Sequence, residues 1–210
     1  MSVSIACIVE GEGEVEAVPL LIRRIAVAAC PDVVVDIVSP PIRIARSKLM
    51  KAGELERAIE LAARQAGSLG AILVLIDSDD ECPAYLAPQL HARAERARKG
   101  FPISIVLAKR EFEAWFLAAA ESLRGRRGLR TDMTAPNDPE VIRDAKGWLR
   151  DRMPAGRRYR ETLDQPALAA VFDLQTARKC GSFDKYYREV VRLIELVRPR
   201  SAAPGATPGS

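Results

Sequence analysis

The sequence predicts an α/β protein: a mainly parallel sheet in a Rossmann-like core, followed by a C-terminal helical extension. Three observations carry that prediction. Short apolar runs at Val3–Val9, Val33–Val38, Ile72–Ile76 and Pro102–Leu107 lack the polar alternation of a sheet with one wet face. Between them apolar residues recur at helical spacing, the rhythm of parallel strands joined by crossover helices. Beyond Ser122 strand signals stop, and short helical segments alternate with loops of Arg, Pro and Gly. The boundaries that follow are a core over 1–121, a helical extension packed on it over 122–198, and a disordered tail over 199–210.

Each element has a local reason. The first apolar run ends at Glu10-Gly-Glu-Gly-Glu14, where two glycines allow unusual backbone angles and close approach of a ligand. Val18, Leu21, Ile22, Ile25 and Ala29 then mark a helix over about 15–29, and Pro19 argues that it begins close to that proline. Cys30-Pro31-Asp32 stops it, and Ser39-Pro40-Pro41 closes the β-branched second strand. Residues 42–52 read as irregular and basic, and a helix follows to Ala66 with Leu55, Ile59 and Ala62 on one face. The third strand runs into Asp77-Ser-Asp-Asp-Glu81. Pro83 opens the next helix and Gly100 ends it. After the fourth strand, Glu111-Phe-Glu-Ala-Trp-Phe-Leu-Ala-Ala-Ala120 reads as a helix with one apolar side. The extension offers helical segments over about 139–151, 165–170, 174–179 and 183–197.

Composition narrows the function. Of 210 residues, 48 % are hydrophobic and 29 % charged, the balance of a soluble globular protein with a substantial core. Aromatic content of 5 % argues against a base-stacking sheet. One histidine and four cysteines without Cys-x-x-Cys spacing argue against a standard zinc site. The net charge is +4, with arginines concentrated over 124–160; this suits a polyanionic partner and equally a solvated surface. No signal peptide is visible and no apolar run reaches the roughly 18 residues of a membrane span. The expected location is the cytoplasm, with reduced thiols and no membrane partner.

Three acidic clusters fall at the carboxyl ends of predicted strands: Glu10, Glu12 and Glu14; Asp77, Asp79, Asp80 and Glu81; Glu111 and Glu113. In a parallel sheet those ends share one edge, where ligands of open α/β folds bind. Two carboxylates about 4 Å apart repel by roughly 4 kcal/mol at an effective dielectric of 20. A divalent cation removes that cost, and oxygen ligands suit Mg²⁺ or Mn²⁺. The same acids also suit solvated loops and first-turn helix positions favoured by the dipole.

Val9-Glu-Gly-Glu-Gly-Glu14 after a strand, with Ile76-Asp-Ser-Asp79, resembles the Toprim signature: a glutamate in a Gly-containing loop, then Asp-x-Asp. Glu111-Phe-Glu-Ala-Trp-Phe-Leu117, Tyr159-Arg-Glu-Thr-Leu-Asp-Gln165 and Lys179-Cys-Gly-Ser-Phe-Asp184 resemble a Toprim-like subgroup of unknown function. That subgroup is similar to the Toprim part of OLD (overcoming lysogenization defect) nucleases, and the likeness covers residues 3–195. It implies a Toprim-like Rossmannoid core and two-metal hydrolysis of nucleic-acid phosphodiesters, DNA foremost. It implies catalytic roles for Glu10, Asp77 and Asp79, with Glu10, Glu14, Asp77, Asp79 and Glu113 as Mg²⁺ (or Mn²⁺) ligands and Glu12 as an optional one. The chain has no Gly-x-x-x-x-Gly-Lys-Ser/Thr loop, so the resemblance implies a separately encoded ATPase partner and a role in defence against mobile DNA.

Phosphate contacts are expected from Arg43, Arg46, Lys48, Lys109 and Arg110, with Lys146, Arg157, Arg158 and Arg160 extending that surface. Three other readings stay open. A haloacid dehalogenase-type phosphohydrolase has its Asp-x-Asp after the first strand rather than mid-chain. A nucleotide-sugar transferase leaves Glu10, Glu14 and Glu113 idle. A non-catalytic Toprim-like module would bind nucleic acid or an ATPase without cutting.

Overall fold

The computed structural model describes residues 2–198, so the tail expected over 199–210 lies outside the described residues. Five strands form one sheet: β1 (Ser2–Val9), β2 (Val34–Ile37), β3 (Ile42–Arg43), β4 (Ala71–Asp77) and β5 (Ile103–Ala108). The order is β2-β1-β4-β5, with β3 also paired to β1, and every pair is parallel. The helices are α1 (Glu14–Ala29), α2 (Arg46–Leu49), α3 (Glu54–Ala66), α4 (Pro83–Ala97), α5 (Ala114–Ala118), α6 (Ala145–Arg150), α7 (Glu161–Ala169), α8 (Leu174–Ala177) and α9 (Gly181–Val197).

The unbroken apolar runs are explained by burial on both faces of the sheet. Side chains alternate across a strand, so Val3, Ile5, Cys7 and Val9 of β1 join one core with Leu73 and Leu75 of β4. Ala6 and Ile8 join the opposite core with Val74 and Ile76. α3 and α4 cover the second core, whereas α1, α9 and the remaining C-terminal helices cover the first. The helical extension therefore completes a core face instead of standing apart. Trp115 is fully buried there against Phe112, Phe183 and Tyr186, and its Nε1 donates to Ser182 Oγ at 2.8 Å. Truncating such an aromatic costs about 3–5 kcal/mol.

Several local expectations are revised. Residues 42–52 are not wholly irregular: β3 pairs Ile8 with Ile42 and Val9 with Arg43, and the one-turn helix α2 follows. α1 spans Glu14–Ala29 much as expected, but Pro19 stands inside it rather than at its start, where Glu14 accepts from the Glu10 and Gly11 N–H groups of the preceding loop. α7 begins at Glu161, four residues before the expected start at 165. The segment Glu111–Ala120 is only partly α-helical, passing from turn to α5 and then a 3₁₀ turn. Among the described residues no helix is long and apolar enough to cross a membrane.

Candidate active site: an acid-lined pocket at the carboxyl edge of the sheet

β1 and β4 are adjacent and parallel, so the loops after Val9 and Asp77 leave the sheet on the same side. There Glu10, Glu12, Glu14 and Asp77 line a pocket of about 510 Å³ that is closed from the extension by Lys146, Tyr159 and Gln165. Arg43 lies on its rim because β3 is hydrogen-bonded beside the end of β1. The acids of the first and second clusters thus meet although more than 60 positions separate them in the chain.

Local hydrogen bonds fix each acid. One Glu14 oxygen, Oε2, accepts from the N–H groups of Glu10 (3.0 Å) and Gly11 (3.2 Å), tying the glutamate loop to the first turn of α1. Gly13 sits where a Cβ would collide with the Gln165 side chain and the Glu161 carbonyl. That glycine serves the approach of α7, whereas its sequence context suggested the approach of a ligand. Asp77 Oδ1 accepts from the Phe112 N–H at 2.8 Å, joining the end of β4 to the segment after β5. Glu113 is fully buried, and its Oε1 accepts from Tyr159 Oη (3.0 Å) and Gln165 Nε2 (3.1 Å). Glu10 Oε1 accepts from the Arg46 N–H at 3.3 Å. The second oxygens of Glu10 and Glu113 are buried without a hydrogen-bond partner.

Removing these carboxyls from water raises their proton affinity. Burial lifts Glu14 and Glu113 to about 7. Asp77 is held well above the ordinary aspartate range by burial and by the neighbouring Glu14 and Glu113 charges. Glu10 is also raised, again chiefly by burial. Lys146 opposes them. Burial works against its charge, but the Glu113, Glu161 and Asp77 carboxylates outweigh that effect and raise its pKa, and Nζ lies 3.0 Å from Glu161 Oε1. Sequence spacing had placed Lys146 among outer phosphate contacts. Its position among the acids has a signal only in the Tyr159–Gln165 motif, since α7 and α6 close the pocket together.

The remaining predicted residues are distributed differently. Asp79 does not line the pocket; with a left-handed backbone (φ 50°), it presents a largely exposed side chain to Arg46 Nη1 at 3.3 Å. Arg46 also pairs with Glu81 at 2.9 Å, so its guanidinium is committed to acids of the Asp77 loop. Arg43 is half-exposed and 3.4 Å from Glu12. Lys48 is exposed near Glu54. Arg110 pairs with Asp80 at 2.6 Å, and Lys109 lines a separate groove beside β5. Among the described residues no group of three or more His, Cys, Asp or Glu side chains is arranged to hold a metal ion.

Fold and site together define an α/β domain with a buried, mutually repelling carboxylate pocket at the strand ends. The chain belongs to the family described as "Domain of unknown function (DUF4276)", which matches residues 9–190. That match links it to neither Toprim proteins nor OLD nucleases. No curated protein and no solved structure matches the chain.

Proposed function

We propose that the pocket is the centre of a Toprim-like, Mg²⁺- or Mn²⁺-dependent nuclease that hydrolyses phosphodiester bonds, with DNA as the first substrate to try. The observation that carries this reading is the convergence of Glu10, Glu14 and Asp77 in one pocket with Glu113 behind them, their proton affinities raised. Like charges kept together at a cost to the folded state are a mark of a functional site. The donor set suits a hard cation. Mg²⁺ commonly takes one or two carboxylates and completes its shell with water and phosphate oxygens, so it does not require a cage of three side chains. Glu10 and Asp77 would hold it, with Glu14 and Glu113 supporting the charge; the unpartnered Glu10 Oε2 is the donor best placed by its lack of other bonds. When bound, such a cation would acidify water and stabilise charge on the phosphate and leaving oxygens.

The chain's own groups supply the rest. If Asp77 holds the cation without it, Glu10, its proton affinity raised chiefly by burial, instead accepts a proton from the attacking water at Oε2. Lys146 and Arg43 attract the phosphate and offset its charge. Tyr159 and Gln165 hold Glu113 in place through its Oε1. Asp79 acts through Arg46, fixing the loop that carries Asp77. The same reading includes a separately encoded ATPase partner, cytoplasmic location and defence against mobile DNA. One observation favours a second reading: Lys146 already supplies a cation to the acids, as a non-catalytic binding module would need.

The test is incubation of plasmid and single-stranded DNA with Mg²⁺ or Mn²⁺, comparing the natural protein with Asp77→Ala and Glu10→Ala. Cleavage reduced by roughly 10²–10⁴-fold in the Glu10 variant, and lost in the Asp77 variant, is expected. Cleavage that survives both substitutions would sink the nuclease reading. Metal binding without cleavage, with the proposed ATPase partner supplied as well, would favour the binding module.

A further inference from the structure

A second cavity, unconnected with the acid pocket's chemistry, lies along the free edge of β5. It is a largely apolar groove of about 770 Å³ between α4, which contributes Ala84, Ala87 and Pro88, and α9, which contributes Lys185, Glu189 and Arg192. β5 ends the sheet, so one side of its backbone has no strand partner. The phase of the ladder identifies that side. Ile72 N–H donates to the Pro102 carbonyl and Ser78 N–H to the Ala108 carbonyl, so even-numbered residues of β5 face β4. Ile103, Ile105 and Leu107 therefore turn their N–H and C=O groups into the groove. Arg192 Nη2 reaches the Ile103 carbonyl at 3.0 Å; among the described residues, no side chain bonds the backbone of Ile105 or Leu107. These two residues are only 5 % and 3 % exposed. Poorly hydrated backbone groups without partners are uncommon in folded proteins, and an open sheet edge is a template for another strand.

We propose that this edge is filled by β5 of a second copy of the chain, running antiparallel across a two-fold axis at Ile105. The geometry is self-complementary. Ile105 then faces Ile105 of the second copy and Ile103 faces Leu107, so each outward residue exchanges its N–H and C=O bonds with its counterpart. The carbonyl of Ile103 accepts the extra bond beside Arg192 because a carbonyl oxygen has two lone pairs. Charge selects the same register. Glu189 bonds Ser104 Oγ at 2.6 Å while Arg192 reaches Ile103, so α9 descends as β5 ascends. One strand residue rises about 3.3 Å and two helical residues about 3.0 Å, which sets Ile105 level with Tyr187. Lys185 and Glu189 pair within each helix at 2.6 Å, and an axis there sets Lys185 of one copy level with Glu189 of the other, so that the two intrachain pairs alternate in sign across it. A register centred one residue later, at Val106, would oppose Lys185 to itself. On the other face α4 lines the groove with the small side chains of Ala84, Ala87 and Pro88, beside His91.

Light scattering after gel filtration at micromolar concentration, combined with hydrogen exchange of the natural protein, tests this. The expected result is a dimer whose Ile105 and Leu107 amides exchange slowly and lose that protection on dilution. Lys185→Glu, a half-exposed change that also removes the pair with Glu189 inside the helix, should shift the protein to monomer with its circular dichroism unchanged. Ala87→Arg, which fills the groove from α4, gives a second route to the same outcome should the first variant fold poorly. A monomer with fast Ile105 and Leu107 exchange overturns the proposal and leaves the edge to a strand of a different chain. A dimer indifferent to both substitutions also overturns it.

Discussion

The strand-end pocket and the outer edge of the sheet both draw carboxylates from water, and they do so under opposite electrostatic rules. At the strand ends Glu14, Asp77 and Glu113 face one another, and burial raises their proton affinities. On the far edge Glu189 is also drawn from water. There Lys185, Ser104 and Arg192 outweigh the burial and hold it down to about 2. The second arrangement is what stability alone favours, an acid surrounded by donors. The first is costly to the folded state, and α6 and α7 are folded over it to bring Lys146, Tyr159 and Gln165 into place. A pocket that keeps its acids underneutralised is suited to cation binding, whereas the Glu189 site is already satisfied.

Substitutions can break or sharpen this contrast. The largest stability effect is expected at the satisfied site. Glu189→Gln should lower stability by about 1.5–3 kcal/mol at neutral pH, the range for hydrogen bonds to a charged group. The folded pKa lies below the unfolded value, so this contribution is present above about 4.5 and is lost as pH falls towards about 2. Urea titrations at pH 7 and pH 3 measure it; equal losses at both would place the effect in packing.

Lys146→Met comes next, at about 1 kcal/mol, kept small because its side chain is more than a third exposed. The lysine stays charged throughout, but its partners do not. The loss should be largest at pH 8, with Glu14 and Glu113 ionised, and shrink towards pH 5 as they take up protons. A loss independent of pH would remove Lys146 from the acid network.

Glu113→Gln should have the opposite sign. Glu113 titrates near 7 when folded and 4.5 in its ordinary state, so the folded protein binds more protons between those values. Stability then falls as pH rises through that window, and the penalty is complete above it. The amide escapes the penalty while its oxygen keeps the bonds from Tyr159 and Gln165. A melting temperature raised by a few degrees at pH 8, and unchanged at pH 4.5, is expected. Destabilisation at pH 8 would mean that Glu113 is already neutralised there.

What could be read in advance depended on how local its cause was. The strands of β1, β4 and β5 announce themselves because two-sided burial demands continuous apolar residues. β3 does not: two residues are too few for a pattern, and only their pairing with Ile8 and Val9 creates them. The meeting of Glu10 with Asp77 follows from strand polarity and was therefore foreseeable. The outward turn of Asp79 was not, because its backbone at φ 50° and its pairing with Arg46 arise from contact between distant loops.

Unaided, the amino-acid order determined that this is a parallel α/β protein with acids gathered at the strand ends, since hydrophobic periodicity and strand direction are properties of the chain itself. Only the tertiary structure decided which acids share the pocket, that Lys146 stands among them and that the extension seals it. Charge interactions depend on separation and on the exclusion of water, and both are set when segments remote in sequence come together.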